Sequence, residues 1–380
     1  MGGFDLKKVV FVTGTRADFG KISPLARVCE EKNHRIFFFV TGMHMLEQYG
    51  LTKEEVRDFS CGEVYEFVNQ LPNDELSSIL QKTISGLGDF VDLVDPDIVF
   101  YHGDRVEALA AALVCCTKKV HGSHIEGGEL SGTIDEIFRH ATTKLSTSHF
   151  VSSDRAKELI GRMGEKHNTI FHIGSPELDE HNKDSDVSFL SVKSRYDITF
   201  NDYGIISLHP VFYESELMGS ITKKVFSELD GLKKNFVVIL PNNDPGSLEI
   251  QSVIEEYKGC KNFRILPNLR FEYFSILMKN AKLIVGNSSI VVREAPFIGI
   301  PSINIGTRQN NRSTAPSIIH IDNDHLDGLG KIALNHWGCS VLRDQSFGDG
   351  RACQRFGEVI SDRTFWDIPV SKQFFWDTKC

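Results

Sequence analysis

The chain has 380 residues, 41% hydrophobic and 24% charged, with a formal net charge of −9. That length exceeds one ordinary domain and predicts two, of roughly 150 to 200 residues each. No long apolar run and no charged-then-apolar leader stand in it, so a cytoplasmic protein away from membranes is expected, and the acidic balance argues against a nucleic-acid partner.

In chain order, short apolar runs alternate with longer segments of helical period. Strands are predicted at 9–13 (VVFVT), 35–40, 97–102, 120–125, 149–153 and 169–173. Near-continuous apolar strands separated by helices read as a parallel sheet covered on both faces. Residues 176–203 lose that periodicity and are polar. The alternation then restarts at 204–210, 236–241, 263–266, 282–286 and 301–306. The expected partition is a first Rossmann-like domain over 1–178, a linker at 179–203, a second such domain over 204–355, and a helix and aromatic tail over 356–380 returning to the first. The fold class is therefore α/β, with two Rossmann-like doubly wound domains facing a cleft.

Ligands of open α/β sheets bind where strands end, so the loops that follow strands carry the functional reading. After the first strand, "TGTRADFGK" offers Arg16 and Lys21 to a phosphate or carboxylate; it lacks GxGxxG, which argues against a nicotinamide cofactor. After the third predicted strand come Asp104 and Arg105, where an aspartate also suits a helix cap. After the next comes Glu126 with Gly127 and Gly128, then Thr133-x-x-Glu136, a capping-box pattern that starts a helix and puts Asp135 in its first turn. Capping accounts for Thr133, Asp135 and Glu136 but leaves Glu126 unexplained, and Glu129, Arg139 and His140 receive no assignment.

In the second half, His209 follows "GIISL" and precedes Pro210. A Gly286-Asn287-Ser288-Ser289 turn precedes an apolar helix, where backbone N–H groups and hydroxyls suit a phosphate. Arg308 and Arg312 stand on the loop "GTRQNNR". Eight cysteines without CxxC spacing predict free thiols, and no metal site is expected. Cations with a serine turn on one side and carboxylates on the other fit the chemistry of a nucleotide sugar.

These segments resemble the UDP-N-acetylglucosamine 2-epimerases, in particular their hydrolysing branch. The likeness runs from about residue 9 to 320 through "TGTRADFGK", "TGMHM", "HGDRVEALA", "HIEGGELSGTIDEIFRH", "IGSPELD", "PNNDPGS", "LPNLRFEYF", "VGNSSIVVREAP" and "INIGTRQNNR". The resemblance implies a GT-B-like pair of Rossmann domains. It also implies acid–base work by Asp104, Glu126 and Asp135, and help from His209 at the departing phosphate. Arg16, Lys21, Arg105, Ser288, Ser289 and Arg308 would hold the diphosphate, and Asn242, Asn268, Phe274 and Glu294 would line uridine and ribose. The substrate would be a UDP-sugar and a product UDP, with no cofactor and no metal, in a homodimer or homotetramer. Alternatives are the same reaction on UDP-2,4-diacetamido-2,4,6-trideoxyglucose, a GT-B glycosyltransferase, and a non-catalytic nucleotide-sugar sensor.

Overall fold

The computed structural model describes residues 6–375, apart from 48–49, 72–73, 132–133, 184–186, 242–245 and 268. Contacts divide the chain into two units. The first comprises residues up to Glu129, Asp135–Asp179 and residues from Gly348 on; the second comprises Leu130–Ile134 and Glu180–Phe347. Both are parallel-sheet α/β domains.

The first sheet holds β1 (Lys8–Thr13), β2 (Arg35–Val40), β3 (Glu63–Glu66), β4 (Ile98–His102), β5 (His121–Ile125), β6 (Ser148–Val151) and β7 (Ile170–His172), in the order β3-β2-β1-β4-β5-β6-β7. The second holds β8 (Tyr203–Ser207), β9 (Asn235–Ile239), β10 (Phe263–Leu266), β11 (Ile284–Gly286), β12 (Ser302–Ile305) and β13 (Ile318–Ile321), in the order β10-β9-β8-β11-β12-β13. In each, the order reverses once, between β1 and β4 and between β8 and β11. Those reversals leave a crevice at the carboxyl ends of the strands, the usual ligand position in this architecture.

β1, β2 and β4 are buried almost throughout, as sandwiched parallel strands must be. The strands not anticipated from sequence, β3 and β13, lie at the sheet edges. β3 (EVYE) alternates between exposed and half-buried, so its apolar signal is weak. Within 179–203, the helix Phe189–Arg195 buries Val192, and Ile198 joins it in a core cluster of the second unit. At the far end of the chain, Ala352, Phe356, Ile360 and Phe365 sit in the same core cluster as Val9, Phe11, Ile22 and Phe100 of the first unit.

Candidate active site

In the first unit the turn after β1 is set by Thr15, whose hydroxyl accepts from the Asp18 backbone while the Asp18 carboxylate accepts from the Thr15 backbone. This reciprocal cap starts the helix Arg16–Glu31 and fixes where Arg16 and Lys21 point. Arg16 Nη2 lies 2.9 Å from Glu55 Oε1. Lys21 lies between two carboxylates, 2.8 Å from Glu126 Oε2 and 3.0 Å from Glu177 Oε2.

Glu126 follows β5 directly, and its backbone is left-handed, with φ +60°. A glutamate there costs on the order of 1 kcal/mol or more, so the surroundings must hold it. They do: its amide donates to Phe150 O at 2.8 Å, the Ser175 hydroxyl donates to Oε1, and His102 Nε2 lies 2.9 Å from Oε2. The side chain is 3% exposed. A buried carboxylate so placed is tolerated because Lys21 supplies the opposite charge and hydrogen bonds occupy both oxygens.

β4 is hydrogen-bonded to β5 with His102 opposite Ile125, and the Gly103 N–H donates to Ile125 O at 2.9 Å, so Asp104 and Glu126 both stand just past the carboxyl ends of neighbouring strands. Asp104 is not a helix cap: the N-cap of Val106–Lys118 is Arg105, and Asp104 instead pairs with Arg139. Arg139 is 1% exposed and also donates to Glu129 O at 2.8 Å. Asp135 lies in the first turn of the helix Ile134–Leu145, four residues before Arg139 and hence on the same helix face. Arg139 thus ties the Asp104 loop to the helix that carries Asp135.

His124 supports the same loop. Burial pulls its pKa down to about 3, so the ring is neutral near pH 7. Nε2 faces Gly103 O at 2.7 Å, and a carbonyl only accepts, so the proton resides on Nε2 and Nδ1 accepts from Thr143 Oγ1 at 3.1 Å. Gly127 passes against this ring: a Cβ there would come within 2.7 Å of His124 Nδ1.

In the second unit the arrangement rests on backbone and one amide. Gly286 ends β11 with φ +152°, where a Cβ would collide with the Ser207 backbone. The next residue, Asn287, is buried and joins the ends of β8 and β11. Its backbone N–H donates to Ser207 O at 3.1 Å, its side-chain oxygen accepts from His209 N at 2.7 Å, and its side-chain nitrogen donates to His209 O at 2.8 Å. Arg308 Nη1 and Gln309 Nε2 both donate to Asn287 O, at 3.1 and 3.0 Å. His209, Ser288 and Arg308 are therefore gathered at one switch point. Ser288 is the N-cap of Ser289–Val292, but its side chain makes no capping bond.

The sequence profile of UDP-N-acetylglucosamine 2-epimerase matches residues 27–361. The chain belongs to the UDP-N-acetylglucosamine 2-epimerase family. Its relatives include the UDP-N-acetylglucosamine 2-epimerase of Neisseria meningitidis serogroup B, 40% identical over 97% of this chain and 99% of that one. Another is the UDP-N,N'-diacetylbacillosamine 2-epimerase (hydrolyzing) of Legionella pneumophila, 32% identical over 99% of both. Among solved structures, a Neisseria meningitidis UDP-GlcNAc 2-epimerase bound to UDP-GlcNAc superposes with a TM-score of 0.76 at 19% identity, covering 93% of this chain and 99% of that one. That last likeness establishes the two-domain GT-B-like epimerase fold.

Of the residues that the family resemblance assigns to uridine and ribose, Phe274 is half-buried on the helix Phe271–Asn280, and Glu294 is buried with Oε1 3.4 Å from His181 Nε2. Asn242 and Asn268, and Thr133 of the capping-box pattern, lie outside the described residues. Sequence reasoning missed Ser175, Glu177, His102 and Asn287. Ser175 and Glu177 follow β7, so the strand-end rule could have found them; the polar stretch around them hid the signal.

Proposed function

We propose that the protein is a hydrolysing 2-epimerase, converting UDP-N-acetylglucosamine and water to N-acetylmannosamine and UDP. This would be a cytoplasmic reaction that supplies sialic acid synthesis. The observation that carries the reading is Glu126, a buried carboxylate in strained backbone, compensated by Lys21, just past the end of the strand next to the one that leads to an arginine-held Asp104. Strain and buried charge are kept at reacting centres and are expensive elsewhere.

The chemistry explains the demand for acids. C2–H of an N-acetylhexosamine is not next to a carbonyl, so UDP must leave first. As the C1–O bond breaks, the bonding pair goes to the diphosphate, and the oxocarbenium-like centre acidifies C2–H. A carboxylate takes that proton, leaving 2-acetamidoglucal. Water then adds, its oxygen to C1 and a proton to the opposite face of C2, giving N-acetylmannosamine. No net oxidation occurs. Asp104, Glu126 and Asp135 divide these proton transfers, each contributing roughly 10²- to 10⁴-fold in rate. Arg16, Arg105, Ser288, Ser289 and Arg308 hold the diphosphate, and His209 assists its departure. Lys21 serves both as a diphosphate contact and as the counter-ion of Glu126.

The 32% identity to an enzyme named for UDP-N,N'-diacetylbacillosamine supports a second reading, the same reaction on the 2,4-diacetamido-2,4,6-trideoxy sugar. One experiment separates them: incubate the protein with each UDP-sugar in deuterium oxide and follow the products by NMR. UDP together with N-acetylmannosamine deuterated at C2 is the expected result. Turnover of the trideoxy substrate alone favours the second reading. UDP-N-acetylmannosamine as the accumulating product would overturn hydrolysis.

A further inference from the structure

The second unit contains a cavity of about 420 Å³ on the edge of its sheet opposite the serine turn. Lys282 lies two residues before β11 begins, and Pro301 immediately precedes β12, so the cavity opens at the amino ends of these strands. The Ser288–Ser289 turn lies at the carboxyl end of β11. A ligand in the cavity would not occupy the place assigned to the diphosphate.

The lining is charged in one sense only. Lys279, Lys282 and Arg343 face it, and no aspartate or glutamate does. Among the described residues none of these three cations has a salt-bridge partner, although the chain carries 51 acidic side chains against 42 lysines and arginines. In a protein of net charge −9, three exposed cations without salt-bridge partners around one concavity make a local positive patch that favours an anion. Phe297, nearly buried, supplies an apolar wall. Gly299 makes room for the arginine. Its φ is +88°, and a Cβ there would come within 3.1 Å of Arg343 Cγ. A lining that offers one planar guanidinium and two ammonium groups suits a doubly charged phosphate better than a single carboxylate.

One lining residue reaches toward the candidate nucleotide site. His181 is buried, with Nδ1 2.8 Å from Ser275 Oγ and Nε2 3.4 Å from Glu294 Oε1. Glu294 starts the helix Glu294–Ile298, which directly follows the helix after the serine turn. Anything that shifts His181 alters the hydrogen bonding of Glu294.

We propose that this cavity is an effector site for a phosphorylated small molecule, and that its occupancy changes UDP affinity through His181 and Glu294. The binding claim stands on the cavity alone. The coupling claim rests on the family-based placement of Glu294 at the nucleotide, so the two are tested separately.

Inorganic diphosphate is the probe, applied to the full-length protein saturated with UDP at constant ionic strength. Cys339 lines the cavity and is exposed, and Cys260 is exposed outside its lining, so peptide mass spectrometry of iodoacetamide alkylation reports occupancy with an internal control. Millimolar diphosphate should slow alkylation of Cys339 at least threefold and leave Cys260 unchanged. The Lys282→Glu/Arg343→Glu variant should lose this protection while binding UDP with wild-type affinity. Equal Cys339 rates with and without diphosphate, or protection that survives in the variant, overturn the site. For coupling, diphosphate should change the apparent UDP dissociation constant at least twofold more in the wild type than in the variant, where only direct competition remains. Cys339 protection with no such difference leaves the site standing and overturns the coupling.

Discussion

The two units share a topology and differ in what stands at their switch points. In the first, ionised side chains meet in pairs: Lys21 with Glu126 and Glu177, and Arg139 with Asp104. In the second, one amide, Asn287, gathers backbone groups, and the turn beside it presents N–H groups and hydroxyls. The difference matches the division of labour in the proposed reaction. Moving protons requires groups that change charge, which buried ion pairs hold ready; holding a phosphate requires fixed donors, which backbone supplies without titrating. The same fold can be given either character by a few residues after β5 or β11.

The largest effect is expected from Glu126→Gln. Turnover should fall by roughly 10²- to 10⁴-fold while UDP affinity stays within threefold, measured by product NMR and calorimetry. Loss of UDP binding with normal turnover would move Glu126 from chemistry to binding. Next, Arg139→Met removes the buried guanidinium that pairs with Asp104 and donates to the Glu129 carbonyl. Stability should drop on the order of 3 kcal/mol by urea unfolding, with turnover reduced about tenfold or more. In the second unit, Asn287→Ala removes two side-chain hydrogen bonds that join β11 to the loop after β8. The expected cost is about 2 kcal/mol, with UDP affinity weakened roughly tenfold and the catalytic step less affected.

Acid should strike the first unit. Burial holds the pKa of His121 down at about 4, so the folded ring stays neutral while an unfolded one protonates near 6.5. The stability this difference contributes is present above pH 6.5 and lost as pH falls toward 4, roughly 3 kcal/mol in all. At Glu165 burial works to raise the pKa, but hydrogen bonds from His149, Lys144 and Lys372 outweigh it and hold the value at about 2. That carboxylate's contribution is complete above about pH 4.5 and disappears toward pH 2. His121→Asn should flatten the upper part of the pH–stability curve and leave the lower part. The smallest effect is expected from Ser288→Ala. With no capping bond to lose, the melting temperature should stay within about 2 °C, and only UDP affinity should fall, by less than tenfold.

Much of this was legible in the sequence, and the reasons are local. Runs such as "RIFFFV" and "VVFVT" can only be sandwiched strands, and the loops after them lead directly to Arg16, Asp104, Glu126 and Ser288. What stayed hidden depends on distance along the chain. Lys21 and Glu177 are 156 positions apart, and nothing in either segment announces the other. Arg139 lacked an assignment because a helical arginine reads as surface until a loop carboxylate 35 positions earlier is placed against it. The left-handed backbone of Glu126 was also illegible, since the adjacent glycines are the residues from which such a conformation is expected.

The first unit is discontinuous: its core uses Ala352, Phe356, Ile360 and Phe365, and Lys372 donates to the carbonyls of Thr143, Lys144 and Ser146 at the end of the helix that bears Asp135. The second unit needs little beyond the contiguous Glu180–Phe347. On the ribosome, then, the earlier-made unit is the one that must wait. At synthesis rates of about 5 to 20 residues per second, its strands remain without their closing helix for roughly 10 to 40 s, while the later-made unit can already complete its sheet. A chain that stalls before residue 348 would carry a second unit ready to fold and a first unit exposing its apolar face to chaperones and proteases.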